Sequence, residues 1–166
     1  MFLLKLKNVE GKEVIGMKYS VGLLKPDCLK RGIEKEVLAA IEAAGLKIVT
    51  IKRVRLTKEE VDVIWASCLR EDFYEGLLKF LLSGDSIVFI VKGKDAIIRL
   101  NDLVGHREPT RAEKYTIRHR FGRSVMDNVI HSTATEETFW REVSLFFTQS
   151  ELDRLRIDLK PKEGVK

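Results

Sequence analysis

The chain has 166 residues, which predicts one domain, residues 1–166, able to bury a core without staples. Hydrophobic residues make up 45% and charged residues 33%, so the chain is globular rather than disordered, and 30 Lys and Arg against 25 Asp and Glu leave a net charge of +5 that calls for an anionic partner. Two widely spaced cysteines, Cys28 and Cys68, exclude a disulfide framework and a zinc pattern and read as reduced thiols of a cytoplasmic protein, while no stretch approaches the ~20 apolar residues of a membrane span.

In chain order, Glu10 and Gly11 form a turn between two short apolar stretches, a candidate hairpin. Tyr19–Leu24 reads as a strand ending at Lys25-Pro26-Asp27, because Pro26 cannot donate a sheet hydrogen bond. Ile33, Val37, Leu38, Ile41 and Ala44 share a helical face, stopped by Gly45. Residues 46–56 are β-branched and alternate as a strand does. Thr57 and Glu60 have capping-box spacing, which predicts a helix to Leu69, and a second short helix covers 73–82. Residues 86–91 are nearly all apolar, as in a central strand covered on both faces. Residues 95–104 form an amphipathic helix closed by Gly105, and 105–123 lack clear periodicity. A short strand is expected within 125–130, then a helix to Phe147 opened by a capping box on Thr133 and Glu136, then a charged tail over 149–166.

Strands and helices interleave, so the fold class is α/β or α+β around one sheet. A ferredoxin-like βαββαβ plan, with both main helices on one face and the helical pair inserted after the second strand, accommodates the order.

Of the net charge of +5, +4 falls within 105–123: Arg107, Arg111, Lys114, Arg118, Arg120 and Arg123 face only Glu108 and Glu113. Arginine forks match phosphate oxygens, so this exposed segment is a candidate anion site, the bland reading being a solvated basic loop. Neither G-x-x-x-x-G-K-[ST] nor G-x-G-x-x-G occurs, so side chains rather than a glycine-rich loop would have to hold phosphates. All three histidines lie nearby, at 106, 119 and 131. His131 stands at a strand end before a helix, where anions are favoured, and a neutral imidazole acts as a nucleophile when an acceptor fixes its other nitrogen. Glu142 on the following helix is the candidate acceptor.

Lys25-Pro26-Asp27, Thr116-Ile117-Arg118 and Asn128-Val129-Ile130-His131-Ser132-Thr133, in this order and spacing, resemble the nucleoside diphosphate kinase family over about 19–147, with an extension 1–18 and the tail 149–166 outside the match. The resemblance implies a ferredoxin-like fold with a helical hairpin. It implies transfer of the γ-phosphate of ATP or another nucleoside triphosphate to a nucleoside diphosphate, by ping-pong through a phosphohistidine, with Mg²⁺ on the nucleotide. His131 would be phosphorylated, Glu142 would orient it, and Thr133 supplies the neighbouring hydroxyl. Lys25, Arg118 and Asn128 match ligands of phosphate and sugar. Phe73 matches the ring that stacks on the base, with Leu77 beside it and Val125 on the other face, and Trp65 matches a position that is usually Tyr. The metal would be held by nucleotide phosphates and water, with no protein ligand. A homo-oligomer is implied, a hexamer or else a tetramer, with Pro109 at a subunit contact, together with a cytoplasmic location.

The chain departs from the family at several positions. Asn101 replaces a phosphate-binding Arg and Arg107 replaces a phosphate-binding Thr, which suggests that Arg107 supplies the guanidinium absent at 101. Met126 replaces a Gly, and Ala134 stands where Asp is common. A nucleotide-binding regulator with little turnover is the alternative. A nucleic-acid module is disfavoured, because aromatic residues do not interleave with the basic ones.

Overall fold

The computed structural model describes residues 16–155; the candidate hairpin at Glu10 and Gly11 lies outside them. Four strands, β1 (Tyr19–Leu24), β2 (Lys47–Val54), β3 (Ser86–Lys92) and β4 (Ile130–Ser132), form one antiparallel sheet in the order β2-β3-β1-β4. Each half of the chain thus leaves a gap between its two strands that a strand of the other half fills, which is the ferredoxin-like arrangement. The helices among the described residues are α1 (Pro26–Lys30), α2 (Glu34–Ala43), α3 (Lys58–Ile64), α4 (Tyr74–Leu81), α5 (Ala96–Val104), α6 (Ile117–Phe121), α7 (Glu136–Phe146) and α8 (Gln149–Arg154).

The near-continuous apolar runs of β1 and β3 follow from their central place. On one face, Leu24, Ile87, Phe89 and Val91 pack on Val37 and Ile41 of α2 and on Ala96, Leu100 and Val104 of α5. On the other, Val21, Leu23, Val88 and Ile90 pack on Val61 of α3, Leu77 and Leu81 of α4, and Phe139 and Val143 of α7. The crossover helices share one face, as expected, and the inserted pair with α7 covers the other. Gly22 is required by this packing: it pairs with Phe89, whose ring tip would lie 2.4 Å from a Cβ at that position.

The Thr57 capping box forms, with Glu60 N–H donating to Thr57 Oγ1 at 3.2 Å and Thr57 N–H to Glu60 Oε2 at 2.9 Å. The helix it opens ends at Ile64 and gives way to a 3₁₀ turn, Ala66–Cys68, instead of running to Leu69. The strand expected within 125–130 lies at Ile130–Ser132, because Val129 has φ 78°, outside any strand conformation. The box expected on Thr133 and Glu136 is formed by Thr135 and Thr138, whose reciprocal bonds are 3.1 and 3.0 Å long. Thr133 is unavailable as a cap because its N–H extends the pairing of β4, donating to the Val21 carbonyl at 3.0 Å.

The segment after 148 is not wholly a solvated tail. Thr148 and Glu151 cap α8, Leu152 is buried, and Lys52 of β2 donates to Glu151 Oε1 and to the Phe146 carbonyl, each at 2.7 Å. The aperiodic stretch 105–123 contains a 3₁₀ turn, Pro109–Arg111, and α6.

Candidate active site

Lys25 sits where β1 ends, with Pro26 in the first turn of α1. Two reciprocal bonds bring the distant segment 128–131 to this corner: Lys25 N–H donates to the Val129 carbonyl and Val129 N–H to Asp27 Oδ2, both at 2.9 Å. They hold Val129, fully buried, in a left-handed conformation that costs a β-branched residue about 1–3 kcal/mol. The Lys25 ammonium donates to Asn128 Oδ1 at 2.8 Å and to the Met126 carbonyl, and lies 5.2 Å from the Phe80 ring centre. Burial pushes Lys25 down to about 8, against the pull of Asp27, which leaves it charged at neutral pH. The Asn128 amide is a hub: its nitrogen donates to the carbonyls of Arg107 and Val125, each at 2.8 Å, tying the basic loop to Lys25.

Behind this corner Asp27 meets Asp127. The Oδ1 atoms of both are buried without an N–H or O–H donor from other groups. Burial, and a hydrogen bond to Asp127 that needs a proton, push Asp27 up to about 6.

Thr116 caps α6 by accepting from His119 N–H at 3.3 Å, and this helix carries Arg118. The Arg118 guanidinium donates to the Gly105 carbonyl at 3.1 Å and to the Ile130 carbonyl at 2.7 Å, while its buried Nε has no partner. Burial lowers Arg118 to about 10, still fully charged at neutral pH. The residue before the cap, Tyr115, has φ 72° and is 83% exposed.

His131 lies on β4 opposite Leu23. Its Nε2 is 3.1 and 3.2 Å from the two carboxylate oxygens of buried Glu142, and the Trp65 ring centre lies 5.0 Å from its own. The tautomer that satisfies Glu142 places the proton on Nε2 and the lone pair on Nδ1. A histidine with one ring nitrogen held by a carboxylate therefore stands on a strand whose preceding carbonyl binds Arg118, three residues after the hub that ties the Arg107 and Val125 carbonyls to Lys25.

Of the remaining candidates, Arg107 and Val125 are joined to this centre through Asn128, and Asn101 through Ser132 and Thr133. Phe73 and Val125 are about half exposed, whereas Leu77 is buried in the core. Arg107 is exposed, with its carbonyl bound to Asn128. The Asn101 amide is engaged within the chain: it accepts from Ser132 Oγ at 2.6 Å and donates to the Thr133 carbonyl at 2.8 Å. His106 Nδ1 accepts from Glu108 N–H at 3.0 Å within a local turn. Sequence reasoning passed over the roles of Asp127, Phe80 and Ser132; their partners are 31–100 positions away, and no local pattern marks them.

A cleft of about 180 Å³ between α3 and α7 is lined by Val63, Ile64, Ala66, Ser67, Thr138, Arg141 and Glu142. Among the described residues, no three His, Cys, Asp or Glu side chains gather where they could hold a metal ion, and no helix is long and apolar enough to cross a membrane.

The family described as nucleoside diphosphate kinase matches residues 18–152. The nucleoside diphosphate kinase of Desulfovibrio desulfuricans is 35% identical over 136 residues, covering 82% of this chain and 98% of that protein. The crystal structure of the nucleoside diphosphate kinase from Encephalitozoon cuniculi superposes with a TM-score of 0.78 at 25% identity, over 81% of this chain and 92% of that one. That of the halophilic enzyme from Halobacterium salinarum in complex with CDP does so with a TM-score of 0.76 at 30% identity, over 80% and 89%.

Proposed function

The chain belongs to the nucleoside diphosphate kinase family and is a phosphotransferase, and from that premise we propose that His131 carries the phosphoryl group between nucleotides. The observation that supports this most directly is the pairing of His131 Nε2 with Glu142, which leaves Nδ1 as the nucleophile. In the first half-reaction the Nδ1 lone pair attacks the γ-phosphorus. The bond to the β,γ-bridging oxygen breaks, and the diphosphate leaves with that electron pair. In the second, a terminal β-phosphate oxygen of another diphosphate attacks the same phosphorus, and the N–P electron pair returns to the imidazole. Glu142 keeps the Nε2 proton in place throughout and offsets the positive charge that the ring gains.

Phosphoryl transfer of this kind depends on positioning and on neutralising charge at the equatorial oxygens. Lys25 and Arg118, whose Nε is the buried donor without a partner, serve that need. Arg107 adds a third cation from the loop. Phe73 and Val125 enclose the base by stacking, which tolerates every base because each has a π face. Asn128 sets the sugar end by holding Lys25 and the loop together, and Trp65 walls the nucleophile. The side chains assigned here to the phosphates, Lys25, Arg118 and Arg107, are cationic, which suits phosphate oxygens and not a metal. Mg²⁺ would therefore be held by the nucleotide's phosphates and water, and would supply neutralisation of their charge.

The same reading makes the protein a cytoplasmic homo-oligomer, a hexamer in preference to a tetramer. Free Cys28 and Cys68 suit a reducing compartment, and Ile51, 53% exposed on the edge strand β2, suits contact with a second copy.

The test is incubation with γ-labelled ATP. An acid-labile, base-stable phosphoprotein that passes its label to GDP or CDP is expected. Labelling that survives His131→Ala, or its absence in the native protein, refutes the reading and favours the nucleotide-binding regulator.

A further inference from the structure

We propose that Asn101 is a positioning residue that holds the strand of the nucleophile, and not a ligand of the nucleotide. Strand β4 has three residues and pairs with β1 alone, Gly22 opposite Ser132, Leu23 opposite His131 and Leu24 opposite Ile130. So short an edge strand frays unless something else holds it. Asn101 supplies that hold from α5. Its two amide ends bind the two residues that directly follow His131: Oδ1 accepts from Ser132 Oγ at 2.6 Å, and Nδ2 donates to the Thr133 carbonyl at 2.8 Å.

The anchor is itself fixed. The Asn101 carbonyl accepts from Gly105 N–H at 3.0 Å, and the Gly105 carbonyl accepts from Arg118 at 3.1 Å. Arg118 in turn binds the carbonyl of Ile130, the residue before His131, at 2.7 Å. The nucleophile's backbone is therefore clamped from both sides, by Arg118 before it and by Asn101 after it, through one rigid helix end. Thr133 is gripped a third way, with its N–H on the Val21 carbonyl at 3.0 Å and its hydroxyl 2.7 Å from Thr138 Oγ1. Ser132, between His131 and Thr133, has only Asn101 as a side-chain partner among the described residues.

A strut of this kind acts on the rate of phosphoryl transfer, since a small displacement of a nucleophile costs far more in alignment than in binding. The inference rests on the reading that His131 takes the phosphoryl group. Single-turnover phosphorylation by γ-labelled ATP, with ATP affinity measured separately on the His131→Ala background, tests it in Asn101→Ala, Ser132→Ala and the double variant. Each single variant is expected to lose about tenfold in the phosphorylation rate at saturating ATP, with affinity changed by less than about twofold. The double variant is expected to be no slower than Asn101→Ala, because both remove the same link. Should Asn101→Ala fail to fold by near-UV circular dichroism, the rate in Ser132→Ala decides alone.

A tenfold weaker affinity with an unchanged saturated rate would make Asn101 a nucleotide ligand and overturn the strut. Losses that multiply in the double variant overturn it too. If the native protein takes up no label on His131, the parent reading falls, and the strut's catalytic role falls with it; normal labelling with fully active variants sinks the strut alone.

Discussion

Both carboxylate oxygens of Glu142 lie within hydrogen-bond reach of His131 Nε2, at 3.1 and 3.2 Å, and neither residue is more than 18% exposed at its side chain. In the proposed reaction the pair fixes which nitrogen reacts. Phosphate is expected on Nδ1, and two-dimensional NMR of the phosphorylated protein labelled at the histidine nitrogens distinguishes it from Nε2. Glu142→Gln keeps the shape but removes the charge and lets the amide select the wrong tautomer. Its phosphorylation rate is expected to fall by about 10²-fold or more, with ATP affinity nearly kept. Phosphate found on Nε2 would contradict the geometry.

Lys25 sets an alkaline limit. With its ammonium pushed down to about 8 by burial, Lys25 loses its charge as pH rises through that value, and on the proposed reading the free enzyme loses a phosphate-binding cation with it. The plot of kcat/KM against pH, which reports the free enzyme, is expected to fall above about pH 8. In Lys25→Arg the charge persists, so the profile is expected to stay flat there at a lower level. Titration of Lys25 does not itself unfold the protein over this range. Above pH 8 the unfolded chain, with an ordinary Lys near 10.5, binds more protons than the folded one, so this group stabilises the fold further as pH rises to that value. A native profile flat to pH 10 would remove Lys25 from phosphate binding.

The strands of the central sheet were legible because they are apolar on both faces, and the Thr57 box because its partners are three residues apart. Lys25, Arg118 and His131 were legible as pieces of motifs. What joins them was not. Val129 has the composition of a strand residue, and only the pull of Lys25 and Asp27 across more than 100 positions turns it into a left-handed kink and displaces β4. Thr133 has the composition of a cap, and its burial against β1 passes that task to Thr135. Asn101 could be picked out as unusual, but nothing local says that its amide reaches Ser132.

The Asp27–Asp127 contact predicts a pH-dependent weakness near the site. Asp27 is raised to about 6, so between its unfolded value near 4 and about 6 the folded state binds more protons than the unfolded one. Its contribution is fully present at the acid end of that window and is lost as pH rises to about 6. Asp27→Asn supplies a permanent donor toward Asp127 and keeps an oxygen for the Val129 N–H. The melting temperature of the variant relative to the native protein is expected to climb between pH 4.5 and 7. A constant difference would mean that the two carboxyls do not share a proton.

Arg107 offers a guanidinium that is exposed, while its own carbonyl is fixed by Asn128. If it binds phosphate, Arg107→Ala weakens ATP binding and slows transfer together, by about tenfold or more in kcat/KM. An unchanged kcat/KM leaves Lys25 and Arg118 as the phosphate cations and Arg107 as part of a solvated loop.

Two residues with similar backbone strain should respond to glycine in opposite directions. Tyr115 has φ 72° and Val129 φ 78°, and glycine removes the penalty at either position. Tyr115 is 83% exposed, so Tyr115→Gly loses almost no buried surface and is expected to stabilise the fold by about 1 kcal/mol, or about 2–4 °C in melting temperature. Val129 is fully buried, and Val129→Gly sacrifices about 1.5–3 kcal/mol of burial and leaves a cavity, which outweighs the strain relieved. Thermal melts of both variants give the comparison. A destabilised Tyr115→Gly would mean that the ring at 115 makes a contact in solution worth more than its strain, which points to a neighbouring subunit at the basic loop.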